Sequence, residues 1–189
     1  ANASKADESY IASCNIQGVY PLGYYPHNVH FMVWSAMFEG RSAEALEMAR
    51  KVASKIPDHL TKENWGRYEL FTSQPYYAMV RFGMWDEILA EPQPPEDARF
   101  MTAIWHYARA LAFEDRGDAK RAKKELKALE KARKAARNGG GRRGSLQTMS
   151  TIAVEVVRAA MEAGVGEYEN AIVRLQRAAR LAQVFGRGD

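Results

Sequence analysis

The sequence predicts an all-α protein, and three observations predict it. Apolar residues recur along nearly the whole chain at the three-and-four spacing of a helix face. No run alternates in the manner of a strand bounded by hairpin turns. Four glycines, Gly40, Gly83, Gly117 and Gly166, each close a long helical run, and five residues after each stands an aliphatic residue inside the next run: Ala45, Ile88, Ala122 and Ala171. Glycine lets the chain turn tightly, and a compact side chain five positions on lets the second helix lie against the first. With 189 residues, 47% of them hydrophobic, the chain is long and apolar enough for one domain, 1–189, built on a continuous core.

The elements follow in order. Pro26 suits a first helical turn, where its missing N–H has no intrahelical partner, so a helix is predicted from Pro26 to Glu39, ended by Gly40. A second runs from Ser42 to Lys55 and stops before Pro57. "TKENWGRYELFTSQPYYAMVRFG" reads as a helix broken near Pro75, whose ring removes a backbone hydrogen bond and crowds the preceding turn. "WDEILAEP" is a very short helix, and the "EPQPP" that overlaps its end is an extended connector. Helices then run from Glu96 to Arg116, Asp118 to Arg137, Ser145 to Ala163 and Glu167 to Gln183. The loop "NGGGRRG", residues 138–144, is predicted to be mobile, because its glycines lose much entropy on ordering and it offers nothing apolar in return. The resulting pairs span about 26–57, 61–91, 96–137 and 145–183.

The glycines are 43, 34 and 49 residues apart. The middle spacing is the period of a tetratricopeptide repeat (TPR), about 34 residues. "EGRSAEALEMARKVASKIP", with Gly40, Ala45 and Pro57, resembles the second half of such a repeat, and "GEYENAIVRLQRAARL" is similar to another. The combination "YPHNVHF", "EGRSAEAL" and "VRFGMWDEIL" resembles a bacterial subgroup of TPR proteins. The resemblance implies antiparallel helix pairs stacked into a right-handed superhelix, an α-solenoid whose first helices line a concave groove. It also implies that the chain, which opens on Ala1, is an internal segment of a longer protein.

Composition narrows the function classes. The lone Cys14 has no disulfide partner, and no window approaches the roughly 18 unbroken apolar residues of a membrane span. "ANASKADES" lacks the parts of a signal peptide, so a cytoplasmic protein is expected, or a periplasmic one if an upstream leader was removed. The motifs G-x-x-x-x-G-K-[ST], H-E-x-x-H, C-x-x-C and G-x-S-x-G are all missing, and "GGGRRGS" joins two helices without a preceding strand, so it forms no phosphate cradle. A non-enzymatic scaffold without cofactor is expected.

Its candidate site is the stripe His27, His30, Trp34 and Met37, at i, i+3, i+7 and i+10 of the first predicted helix. The resemblance puts this stripe on the concave surface with Tyr77 and Val80, then Tyr107 and Leu111, and with Arg81 beside them. Tryptophan and tyrosine offer rigid area with a polar handle, which suits a peptide or protein segment. The plainer alternative is that these aromatics fill the core. Metal binding at His27 and His30, with Cys14 as a third ligand, is a weaker alternative that matches no diagnostic spacing.

The other candidate is electrostatic. Residues 118–143 hold 11 Lys and Arg against 3 acidic residues, a local +8 in a chain of net +4. Lys120, Lys124, Lys127, Lys131 and Lys134 form a stripe opposite Ala122, Leu126 and Leu129. Such a stripe could follow nucleic acid or another anionic surface. No aromatic residue interleaves with the lysines to stack on bases, so a solvated face is the expectation and nucleic acid is not the expected partner. Homo-oligomerisation stays open.

Overall fold

A computed structural model describes residues 2–14, 25–56, 68–136 and 143–186. Among them every regular element is helical, with no strand. In chain order these are α1 (Asn2–Cys14), α2 (Tyr25–Phe38), α3 (Ser42–Ser54), α4 (Gln74–Arg81), α5 (Trp85–Ala90), α6 (Arg99–Asp115), α7 (Ala119–Ala136), α8 (Arg143–Gly164) and α9 (Tyr168–Gly186). Residues 68–72 are also helical and lead into α4 through a turn at Ser73, one residue before Gln74 and two before Pro75, so the interruption falls where the proline requires it. The predicted mobility of 138–144 falls largely outside the described residues, and Arg143 and Gly144 already belong to α8.

One turn is built four times. Gly40, Gly83, Gly117 and Gly166 have φ of +76°, +64°, +71° and +83°, a left-handed conformation that costs an L side chain energy. The amide after each glycine reaches back five residues to a carbonyl: Arg41 to Ala36, Met84 to Met79, Asp118 to Phe113 and Glu167 to Glu162, at 2.8–2.9 Å. This is the Schellman closure of a helix C-terminus. The next helix opens when Ala45, Ile88, Ala122 and Ala171 donate to the carbonyls of Arg41, Met84, Asp118 and Glu167. All four of these residues are buried.

Each turn folds a second helix onto a first. α2 packs on α3, α4 on α5, α6 on α7 and α8 on α9. The first helices also touch in series, α2 with α4, α4 with α6 and α6 with α8, while α3, α5 and α7 each contact the first helix that follows. Two apolar clusters result. The first joins α2 and α3 through Tyr25, Val29, Val33, Met48 and Val52, and takes in Ala78 of α4. The second runs from α4 to α8 through Met79, Ile88, Phe100, Ile104, Leu129 and Val157.

α1 has no counterpart in the sequence-based assignment, since its apolar residues are too sparse to mark a face. It is held from outside. Asn28 Nδ2 donates to Asp7 Oδ2 at 2.7 Å, the Tyr25 hydroxyl to Glu8 at 2.5 Å, and Lys51 pairs with Glu8 at 2.5 Å.

Candidate interaction surface

α2 is apolar nearly all round, and the two sides of it differ. Val29, Val33 and Ala36 are fully buried. On the opposite side Phe31, Trp34 and Phe38 are 60%, 42% and 78% exposed, and His27 is exposed beside them. At about 3.6 residues per turn, positions 27, 31, 34 and 38 form one straight row over about 16 Å. Met37 departs from the stripe read from sequence. It lies roughly 80° round from His27 toward Val33, is only 7% exposed and belongs to the first apolar cluster. Phe31 and Phe38, which that reading passed over, complete the row.

The row is ordered by its own contacts. His27 meets Phe31 edge-on at 4.8 Å between ring centroids, and Trp34 lies 6.2 Å from Phe38. His30, half-buried, holds the centre: Trp34 Nε1 donates to its Nε2 at 2.7 Å, and its ring stands edge-on to Phe71 at 5.7 Å. Burial pushes the His30 imidazole down to about 4, helped by neighbouring His27 and opposed by the Gln74 side chain. His30 is therefore neutral near pH 7, with Nε2 free to accept from the indole.

The other expected residues form a second group. Tyr77 of α4 and Tyr107 of α6 are half-buried and pack against the second apolar cluster. Burial raises both phenols, Tyr107 to about 12, and each tyrosine is close enough for Tyr107 to raise Tyr77 further. Arg81, in the last turn of α4, is exposed. Thus His27, His30 and Trp34 come together on α2, Tyr77 and Tyr107 lie near each other on α4 and α6, and His30 reaches from α2 toward the α4 side through Phe71 and Gln74.

Among the described residues, no three His, Cys, Asp or Glu side chains gather as a metal-holding group, and Cys14 is exposed at the end of α1. On α7 all five lysines of the stripe are exposed. The acids of that helix and its cap are engaged elsewhere: Glu125 with His106 and Arg109 at 2.6 and 2.9 Å, Glu130 with Arg158 at 2.5 Å, and Asp118 with Arg121 at 2.5 Å. A cleft of about 310 Å³ beside α3 and α4 is spanned by the Arg50–Glu91 pair at 2.6 Å, so its charges satisfy each other.

Comparison with family models, curated proteins and solved structures gave no match. No helix among the described residues is long and apolar enough to cross a membrane.

Proposed function

We propose that the protein is a non-enzymatic scaffold of TPR-like helix pairs that binds a peptide or protein segment along the aromatic row of α2. The fourfold turn and the serial contacts of the first helices support a stacked, solenoid arrangement of the pairs. The observation that carries the binding reading is the exposed row Phe31, Trp34 and Phe38, with Trp34 oriented by its hydrogen bond to His30. An ordered aromatic surface loses little entropy when a ligand lands on it, and aromatic anchors dominate binding energy at such sites. Tyr77, Tyr107 and Arg81 extend the site along α4 and α6 in this reading, and His27 borders its start.

The test is selection of peptides from a random display library against the chain, followed by affinity measurement with Phe31→Ala and Trp34→Ala. Each truncation is expected to weaken a selected peptide by about 30-fold, equivalent to about 2 kcal/mol. Because both side chains are exposed, circular dichroism of the variants should match the parent. Peptides that bind both variants unchanged, or a Trp34→Ala chain that unfolds, would remove the groove from consideration.

A further inference from the structure

At 100° per residue, Lys120, Lys123, Lys124, Lys127, Lys131 and Lys134 fall within an arc of about 100° on α7, over about 21 Å of its length. Every residue that α7 places in that arc is lysine, and all of them are exposed. The rest of the helix surface is held by its neighbours. Ala122 and Leu129, on the opposite side, are fully buried. Glu125 meets His106 and Arg109 of α6, and Glu130 meets Arg158 of α8. The lysine face is therefore what remains of a helix packed on both flanks within the chain. Among the described residues no acid pairs with any of these lysines. Glu130 is the one acid placed three residues from Lys127 and four from Lys134, yet it is drawn to Arg158 instead. Lysines three and four apart are left beside one another along the whole face, and such like-charge neighbours work against a helix.

The fold does not require this. Counted from the turn glycines, Lys120, Lys124, Lys127 and Lys131 correspond to Ala43, Glu47, Arg50 and Ser54 on α3, and to Glu169, Val173, Gln176 and Arg180 on α9. Water is met there by residues of both signs or none, and only α7 meets it with a single sign. We propose that the lysine face of α7 is an adsorption surface for an anionic lipid bilayer. Charge complementarity selects an anionic occupant, and the composition of the face selects which one. An acidic protein segment needs an anchor to set its register, but no apolar or neutral side chain stands between the lysines. Nucleic acid would be gripped by stacking aromatics or by planar guanidinium forks, and the face has neither. Arg121 of α7 is engaged with Asp118 and lies over the Phe113 ring. A bilayer presents continuous negative charge and needs no register. Lysine stems are flexible enough to bring their ammonium groups to one plane, and a lysine cluster on an amphipathic helix suits anionic headgroups. With no exposed aromatic on the face, nothing inserts, so the attachment is electrostatic.

Co-sedimentation of the whole chain with vesicles provides the test. The chain should bind vesicles of phosphatidylcholine containing one-third phosphatidylserine and ignore vesicles of phosphatidylcholine alone. Raising salt from about 0.1 M to about 1 M shortens the screening length from about 10 Å to about 3 Å and should release it. Lys124→Gln, Lys127→Gln and Lys131→Gln together should weaken binding by about 100-fold, since each lysine near an anionic bilayer is worth about fivefold. The corresponding triple change to arginine keeps the charges and should bind within about twofold of the parent. Thermal unfolding separates loss of binding from loss of fold: glutamine is a good helix former and the change removes like-charge neighbours, so the glutamine variant should melt no lower than the parent. Failure to bind the anionic vesicles, equal binding to neutral ones, or binding that survives the glutamine variant would each overturn the proposal. So would release of the chain from the vesicles by duplex DNA or polyglutamate at equal charge, which would assign the face to a nucleic acid or to an acidic protein segment.

Discussion

His30 and Glu69 have opposite effects on how stability follows pH. The folded state holds His30 near 4, below its usual 6.5, because burial disfavours the imidazolium. Between those values the unfolded chain binds a proton that the folded chain does not, so this group's contribution is complete above about pH 6.5 and is lost as pH falls toward 4. Glu69 is only 4% exposed and accepts from the amide of Met101 at 2.7 Å, closing the N-terminus of α6. Burial raises its carboxyl to about 7 despite the amides of Phe100 and Met101. Its contribution is complete below 4.5 and is lost as pH rises through 7. The two terms compensate between roughly pH 4.5 and 6.5. Urea unfolding across pH 4.5–8 should therefore give a shallow profile for the parent. Glu69→Gln should make stability climb with pH over the lower part of that range, and His30→Gln should make it fall. Parallel profiles for all three chains would mean that neither group titrates as its surroundings dictate.

The helix pair is the element that the sequence described best, and the reason is local. Each turn is written in one glycine and one aliphatic residue five positions on, and the closing hydrogen bonds lie within seven residues, so no distant partner is needed to read it. Around Gly40, Gly117 and Gly166 an added methyl group would meet nothing within 4 Å. Gly117→Ala should thus cost only the left-handed strain, about 1–2 kcal/mol. Ala122 lies fully buried where α7 crosses α6, and Ala122→Leu should cost about 1–3 kcal/mol by overpacking. Thermal unfolding of both variants checks the pair of values, and an unchanged midpoint for Ala122→Leu would contradict close packing at the crossing. α1 and the aromatic row were harder to read, because both depend on what lies across from them. α1 is fixed by Tyr25, Asn28 and Lys51, and the exposure of Phe31 in place of Met37 follows from where α3 and α4 meet α2. On α7 the lysines face solvent, so reversing Lys124, Lys127 and Lys131 together should leave peptide affinity within about twofold, the size of a rim-charge effect. A large loss, together with nucleic-acid binding whose salt dependence flattens in the variant, would favour the basic face as the site.

Across the whole molecule the two apolar clusters meet at α4, a helix of eight residues. Ala78 belongs to the cluster of α2 and α3, while Tyr76 and Met79 belong to the cluster that runs on to α8. Leu46 of α3 packs against both. Among the described residues the larger helix contacts join each pair to the next, and if the pairs stack as proposed, stability is close to a sum of unit and nearest-neighbour terms. A cavity at the junction should then act differently from one at an end. Met79→Ala, at a fully buried site, should cost about 2–5 kcal/mol and loosen both clusters, because α4 positions Ala78 for one and Tyr76 for the other. Val157→Ala in α8 removes less volume and should raise amide exchange in α6 to α9 while α2 and α3 keep most of their protection. Hydrogen exchange read helix by helix distinguishes the two. If Val157→Ala released α2 and α3 as fully as α8, the chain would unfold as one indivisible unit, and the junction at α4 would hold no special place in its cooperativity.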